Sequence, residues 1–209
     1  MSERTVVVVR VPGPWWAPRA LIRRKFEQVL PEYAAADGLE HKAFTFIEGS
    51  FGGVYHWRTR AQAEAWFDER WHARVKRQRG VEGDVRFFEV LAQGRSTGLQ
   101  GRALAFDAVR TEAVITQTVF ARADGAHAQA LADWAVGAAR STVTLGRDGV
   151  SVFALWNDAA QARAFQAGDA MARAHRLVGV APKVLEFEAP VVLDNSARLA
   201  RSAQATVAA

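Results

Sequence analysis

The chain has no cysteine among its 209 residues. That excludes a disulfide, a thiolate metal site and a cysteine nucleophile, and with the redox compartment uncoded the expected location is cytoplasmic. Long hydrophobic runs are missing as well. No segment reaches the roughly 18 apolar residues needed to span a bilayer, and the valine run at 6–9 is too short for a signal h-region, so no membrane partner is expected. Histidine is scarce, at five. Glu40-His41 stands isolated and His127 and His175 show no ligand spacing, so no metal is expected. Phosphate-binding glycine loops, Rossmann and Walker patterns and a Gly-x-Ser-x-Gly elbow are all absent, Gly52-Gly53 being a lone doublet in a strand. No cofactor is expected.

What is present is an apolar half: hydrophobic residues make up 50% of the sequence, enough for a sizeable core. The formal charge is +5, and its distribution matters more than its size. Residues 1–95 carry 16 Lys/Arg against 12 Asp/Glu, whereas residues 96–209 carry 11 against 10. The excess concentrates in Arg19, Arg23, Arg24 and Lys25 and in Arg70, Arg74, Lys76, Arg77 and Arg79, on two helical stretches. Such runs read as solvated helix faces, and no nucleic-acid partner is expected.

The chain also repeats itself. A shift of 99 residues lays Trp57 on Trp156, Gln62-Ala63 on Gln161-Ala162, Ala73-Arg74 on Ala172-Arg173, Gly80-Val81 on Gly179-Val180 and Phe88-Glu89 on Phe187-Glu188. A period of this length has the size of a small domain rather than a solenoid unit. The division expected is a domain at 1–91, a linker at 92–111, a degenerate repeat at 112–195 and a flexible tail at 196–209.

Within the first half a β-branched strand at 5–11 breaks at Pro12-Gly13-Pro14. A helix over 17–35 follows, with Leu21, Ile22, Phe26, Val29, Leu30 and Tyr33 on one face. Strands at 42–47 and 53–57 flank the turn Glu48-Gly49-Ser50, a helix capped by Thr59 runs to Gly80, and a last strand covers 84–90. This β-α-β-β-α-β order is the ferredoxin-like split unit, and the second half repeats it. An antiparallel sheet with helices on one face must bury the other, so the predicted fold is α+β: two tandem ferredoxin-like domains whose sheets pack face to face as an intrachain α+β barrel, a monomeric pseudo-dimer or weak homo-oligomer.

The residues that carry a family likeness are Gly52-Gly53-Val54-Tyr55-His56-Trp57, the Ala-rich helix with Trp71 behind them, and a strand ending in Phe-Glu before Pro190-Val191-Val192-Leu193-Asp194-Asn195. Together they resemble the YdhR-type monooxygenases, grouped with the antibiotic-biosynthesis monooxygenases in the dimeric α+β barrel superfamily. The resemblance covers 31–90 well and 142–195 in part. It departs at His56, where the family strand carries an apolar residue, and in the second half, where Ser151-Val152-Phe153-Ala154-Leu155-Trp156 lacks the glycines and the tyrosine. The resemblance implies a cofactor-independent monooxygenase acting on a small hydrophobic or aromatic substrate in a helix–sheet pocket. The alternatives are an isomerase, cyclase or dehydratase of the same superfamily, or a non-catalytic protein binding a hydrophobic ligand or haem.

Candidate chemistry comes from aligning the second helices. The stripe Ala160, Ala164, Ala167, Met171, Ala174 and Val178 is apolar, and its first-half counterpart is Ala61, Ala65, Asp68, His72, Val75 and Arg79. Asp68 and His72 would then share an inward face, with the carboxylate supporting His72 as a general base. His56 and Tyr55 are the other catalytic candidates, on opposite faces of their strand. Trp15 and Trp16, as a lid, with Trp66, Phe44 and Phe46 are the expected substrate contacts.

Overall fold

The computed structural model describes residues 3–13, 18–94, 109–196 and 199. Trp15 and Trp16, most of the expected linker and most of the expected tail lie outside the described residues. The elements are β1 (Thr5–Pro12), α1 (Arg19–Gln28), α2 (Leu30–Ala34), β2 (Leu39–Ile47), β3 (Ser50–Trp57), α3 (Arg60–Trp66), α4 (Glu69–Arg79) and β4 (Asp84–Gln93) in the first half. The second half has β5 (Val109–Ala121), α5 (Ala128–Trp134), β6 (Arg140–Gly146), β7 (Gly149–Trp156), α6 (Ala159–Ala167), α7 (Ala170–Val178) and β8 (Lys183–Asp194). In hydrogen-bonding order the strands run β1-β3-β2-β8-β5-β7-β6-β4 and close into a barrel. Each half keeps the ferredoxin-like order, β4-β1-β3-β2 and β8-β5-β7-β6, so the tandem α+β barrel expected from the repeat is the fold.

The chain clusters into two compact units. Among the described residues, the first unit is Arg4–Phe87 with 109–111 and 190–196, and the second is Glu112–Ala189 with 88–94. Val191 and Leu193, near the C-terminus, therefore sit in the first unit's core beside Val7, Val9, Leu39 and Phe44. Asn195 ties that tail down: its side-chain nitrogen donates to the carbonyls of Tyr33 and Leu39, each at 3.1 Å, and its backbone N–H donates to Glu40 O at 2.8 Å.

Three sequence details shape the first unit. Pro31 in the first turn of α2 follows the end of α1 at Gln28, and Phe26 on α1 and Tyr33 on α2 are both buried in the core. A bulge between Leu39 and His41 resets the alternation of β2. Leu39 pairs with Trp57 and, past the extra residue, Lys42 pairs with Tyr55 and Phe44 with Gly53, all on the helix-facing side. Gly52 marks a close backbone approach, since a Cβ there would meet the Val9 carbonyl of β1. Gly52→Ala should accordingly cost about 1–3 kcal/mol, the usual price of overpacking, read as a lowered urea midpoint; an unchanged midpoint would show that β1 yields freely.

Candidate functional site

The helices over the first sheet use a different face from the one the alanine stripe suggested. The inward residues are Ala63, Phe67 and Trp71, with Trp66 and Val75 packed beside them. In the second unit they are Ala162, Ala170 and Ala174, with Phe165 against Trp134 and Trp156. The expectation that Asp68 and His72 look into the helix–sheet space is corrected. The helix is interrupted at Phe67, and Asp68 restarts it as the N-cap of α4, its carboxylate accepting from Trp71 N at 2.9 Å and from Arg70 Nε at 2.9 Å. Those hydrogen bonds hold the Asp68 carboxyl below its ordinary range. His72 is exposed and lies edge-on to Trp71, with ring centroids 5.0 Å apart. In a helix where alanine is plentiful, alanine does not report which way a face points, whereas the aromatic residues at 66, 67 and 71 do. His72→Ala should leave the stability read from thermal melting within about 0.5 kcal/mol of wild type, as for an ordinary surface substitution. Asp68→Ala should lower the melting temperature through loss of the cap.

His56 is buried on the other face of the sheet, edge-on to His41 at 5.3 Å between ring centroids. Tyr55 points under the helices, and there a cavity of about 370 Å³ opens between α1, α2, α4 and the sheet. Exposed polar residues, Lys25, Gln28, Gln78 and Arg79, form its rim, and Phe26, Phe44, Phe51 and Trp71 form apolar walls. Of the expected substrate contacts, Phe44 lines this cavity, while Phe46 packs behind Phe26 with ring centroids 5.4 Å apart. Trp66 stacks between Tyr33 and Trp57, at 5.3 and 5.8 Å.

At the bottom of the cavity lies a residue the sequence reading passed over. Lys42 is 1% exposed, and its ammonium nitrogen stands 2.8 Å from the Tyr33 ring centroid, 3.7 Å from that of Phe44 and 4.4 Å from that of Tyr55. Burial pushes its pKa well below the ordinary lysine value, and Arg74 adds to that while Glu32 opposes it. Glu32 and Arg74 are themselves an ion pair, 3.1 Å long, at the cavity edge. The ring faces favour the cation and burial favours the neutral amine, burial being the first cause of the downward shift. A neutral amine keeps N–H groups for the ring faces and leaves a lone pair for whatever occupies the cavity.

Both tyrosines are held in the protonated form. Burial raises Tyr55 well above its ordinary value, reinforced by the neighbouring Tyr33, and burial raises Tyr33 as well. The cavity thus offers one proton acceptor at its floor and two proton donors around it.

The repeat supplied a signal that could have found this cluster. The 99-residue shift lays Tyr33 on Ala132, Lys42 on Ser141, Tyr55 on Ala154 and Trp71 on Ala170. Lys42 faces Tyr55 across β2 and β3 in the same register as Ser141 faces Ala154 across β6 and β7. In the second unit Ser141 Oγ donates to Ala132 O at 2.8 Å, and the Trp134 indole donates to Ala170 O at 2.8 Å. Small residues and satisfied polar groups stand there in place of the amine and phenols.

No protein-family model matches the chain, and no curated protein matches it. Solved structures do. A protein named "Putative monooxygenase" from Fusobacterium nucleatum aligns with a TM-score of 0.64 at 8% identity, over 92% of this chain and 95% of its own. A "putative monooxygenase" from Lactobacillus acidophilus aligns with a TM-score of 0.58 at 7% identity, over 92% and 97%. An "anthrone oxidase-like protein" aligns with a TM-score of 0.57 at 13% identity, over 92% and 94%. At these identities the likeness is one of fold, and it extends through both halves of the chain: this protein has the α+β barrel fold of the monooxygenase-like proteins.

Proposed function

We propose that the first-unit cavity is the active site of a cofactor-independent oxygenase in which Lys42 is the general base. Its substrate is a small, flat, weakly acidic aromatic molecule, a quinol or an anthrone-type ketone with an activated CH₂. The observation that carries this reading is the buried Lys42 nitrogen, set among Tyr33, Phe44 and Tyr55 in an apolar cavity. A neutral amine there removes a proton from the bound C–H or O–H, and Tyr33 and Tyr55 donate hydrogen bonds to the oxygen on which negative charge develops. The resulting electron-rich anion gives its electrons to dioxygen. One oxygen atom bonds to the substrate carbon, and the other leaves as water with the two substrate hydrogens, so a CH₂ becomes C=O without an external reductant.

Support comes also from the fold shared with the anthrone oxidase-like protein and the two monooxygenase-named proteins. Oxygen uptake with anthrone and a panel of quinols, measured on protein freed of metal, tests the reading. Uptake stoichiometric with ketone or quinone formation is the expected result. Substrate loss without uptake would replace it with an isomerase-type reaction on the same base.

A further inference from the structure

We propose that this cavity is also a carbonyl-binding site in which the Lys42 amine forms a reversible imine with an apolar aldehyde or ketone. The proposal rests on the same reading of Lys42 as an uncharged amine, but it needs no dioxygen. Geometry singles the residue out. Lys25, Lys76 and Lys183, the other three lysines, are all exposed to water, whereas the Lys42 side chain is enclosed and still lines a cavity of about 370 Å³. Its backbone is fixed in β2 by pairing with Tyr55, immediately beyond the bulge that turns it toward the helices. The rings of Tyr33, Phe44 and Tyr55 lie 2.8, 3.7 and 4.4 Å from its nitrogen, and the side chain also lines the cavity, from which a reacting carbonyl approaches. Phe26, Phe51 and Trp71 offer the apolar body of such a ligand its contact surface.

The chemistry balances within the site. The nitrogen lone pair bonds to the carbonyl carbon as the C=O π pair moves to oxygen, and a proton passes from nitrogen to that oxygen to give the carbinolamine. Tyr55 or Tyr33, each kept protonated by burial, donates a proton to the departing hydroxyl, which leaves as water as the C=N bond forms. The iminium nitrogen then returns its proton to the phenolate. Reaction requires the amine uncharged; burial favours that form first, Glu32 opposes it and Arg74 adds to it, while Tyr33 and Tyr55 adjoin the nitrogen and Lys25 and Arg79 stand at the rim.

Full-length protein treated with benzaldehyde and sodium cyanoborohydride at neutral pH, followed by proteolysis and mass spectrometry, reads the imine as a stable benzylamine. The expected result is labelling of Lys42 at least about tenfold faster than of Lys25, Lys76 or Lys183, because at neutral pH an exposed lysine is almost wholly protonated. Benzene in the buffer should slow labelling at Lys42 alone, because it competes for the cavity. Equal rates at all four lysines, or labelling confined to the exposed three, would overturn the proposal. The wild-type comparison does not depend on the folding of any variant. Oxygen uptake that depends on Lys42 in a protein whose Lys42 is not labelled would remove the imine and leave the oxygenase reading standing; labelling without uptake would do the reverse.

Discussion

Lys42→Met should reduce turnover by about 10²–10⁴, the contribution of a positioned general base, and at the same time make the protein more stable. Both effects follow from one fact: the amine is buried among rings. Met has similar length, carries no charge and makes favourable contacts with aromatic rings, so it keeps the walls in place. The stability gain should be about 1–3 kcal/mol, the size of the desolvation penalty of one polar group. Its pH dependence has a definite sign. Lys42 binds its proton less readily in the folded chain than in the unfolded one. Between its lowered pKa and the ordinary lysine value, the unfolded chain carries a proton that the folded chain lacks, and wild-type stability rises with pH. Below that window the penalty is fully present. The variant should be flatter through it, so the advantage of Met is greatest in neutral and acid solution and fades toward high pH. Urea denaturation at several pH values, paired with oxygen-uptake assays, reads both effects. A variant that loses stability, or keeps full turnover, would remove Lys42 from the proposed role.

The alternation of strands, the helix periodicity and the 99-residue repeat made the barrel readable, because these patterns follow from which faces must be buried. The site was read less well, and for local reasons. Alternation puts Tyr55 and His56 on opposite faces of β3 without saying which face the helices cover, and a stripe of alanines that fits any face puts Asp68 and His72 inward; in the fold Tyr55 and Phe44 line the cavity and His72 is exposed. Alternation within a strand at 42–47 puts Lys42 on the face of Phe44 and Phe46, but a lysine at the first position of a strand reads as a solvated end; the bulged extension of β2 back to Leu39 that makes it interior has no marker residue such as glycine. Placing it required comparing the repeats position by position, Lys42 against Ser141 and Tyr55 against Ala154. The tail Pro190-Val191-Val192-Leu193-Asp194-Asn195 was recognised as a motif, but pattern alone could not show that it completes the first unit rather than the repeat it follows.

That tail leads to the second large effect. Asn195 is 2% exposed, and its side chain bridges two carbonyls, one on α2 at Tyr33 and one on β2 at Leu39. Those two residues flank the cavity cluster. Tyr33 carries one of the rings against Lys42, and Leu39 precedes the bulge that points Lys42 inward. Asn195→Ala removes this donor from both carbonyls; Tyr33 O keeps the backbone N–H of Ala36 at 3.2 Å, so a loss of about 1–3 kcal/mol is expected, that of one buried group left unsatisfied. The urea midpoint should fall with little change in slope. Asn195→Asp should be at least as damaging, because a carboxylate would face two carbonyl oxygens with no proton to donate. Asn195 touches no substrate in the proposed mechanism and acts by positioning. Its alanine variant, assayed well below its melting temperature, should therefore show a shifted pH profile as Tyr33 and Lys42 relax apart and water reaches the amine, which raises the amine's pKa and moves the basic-form limb upward. A midpoint within about 0.5 kcal/mol of wild type, the range of an ordinary surface substitution, would show that the tail does not hold the site together.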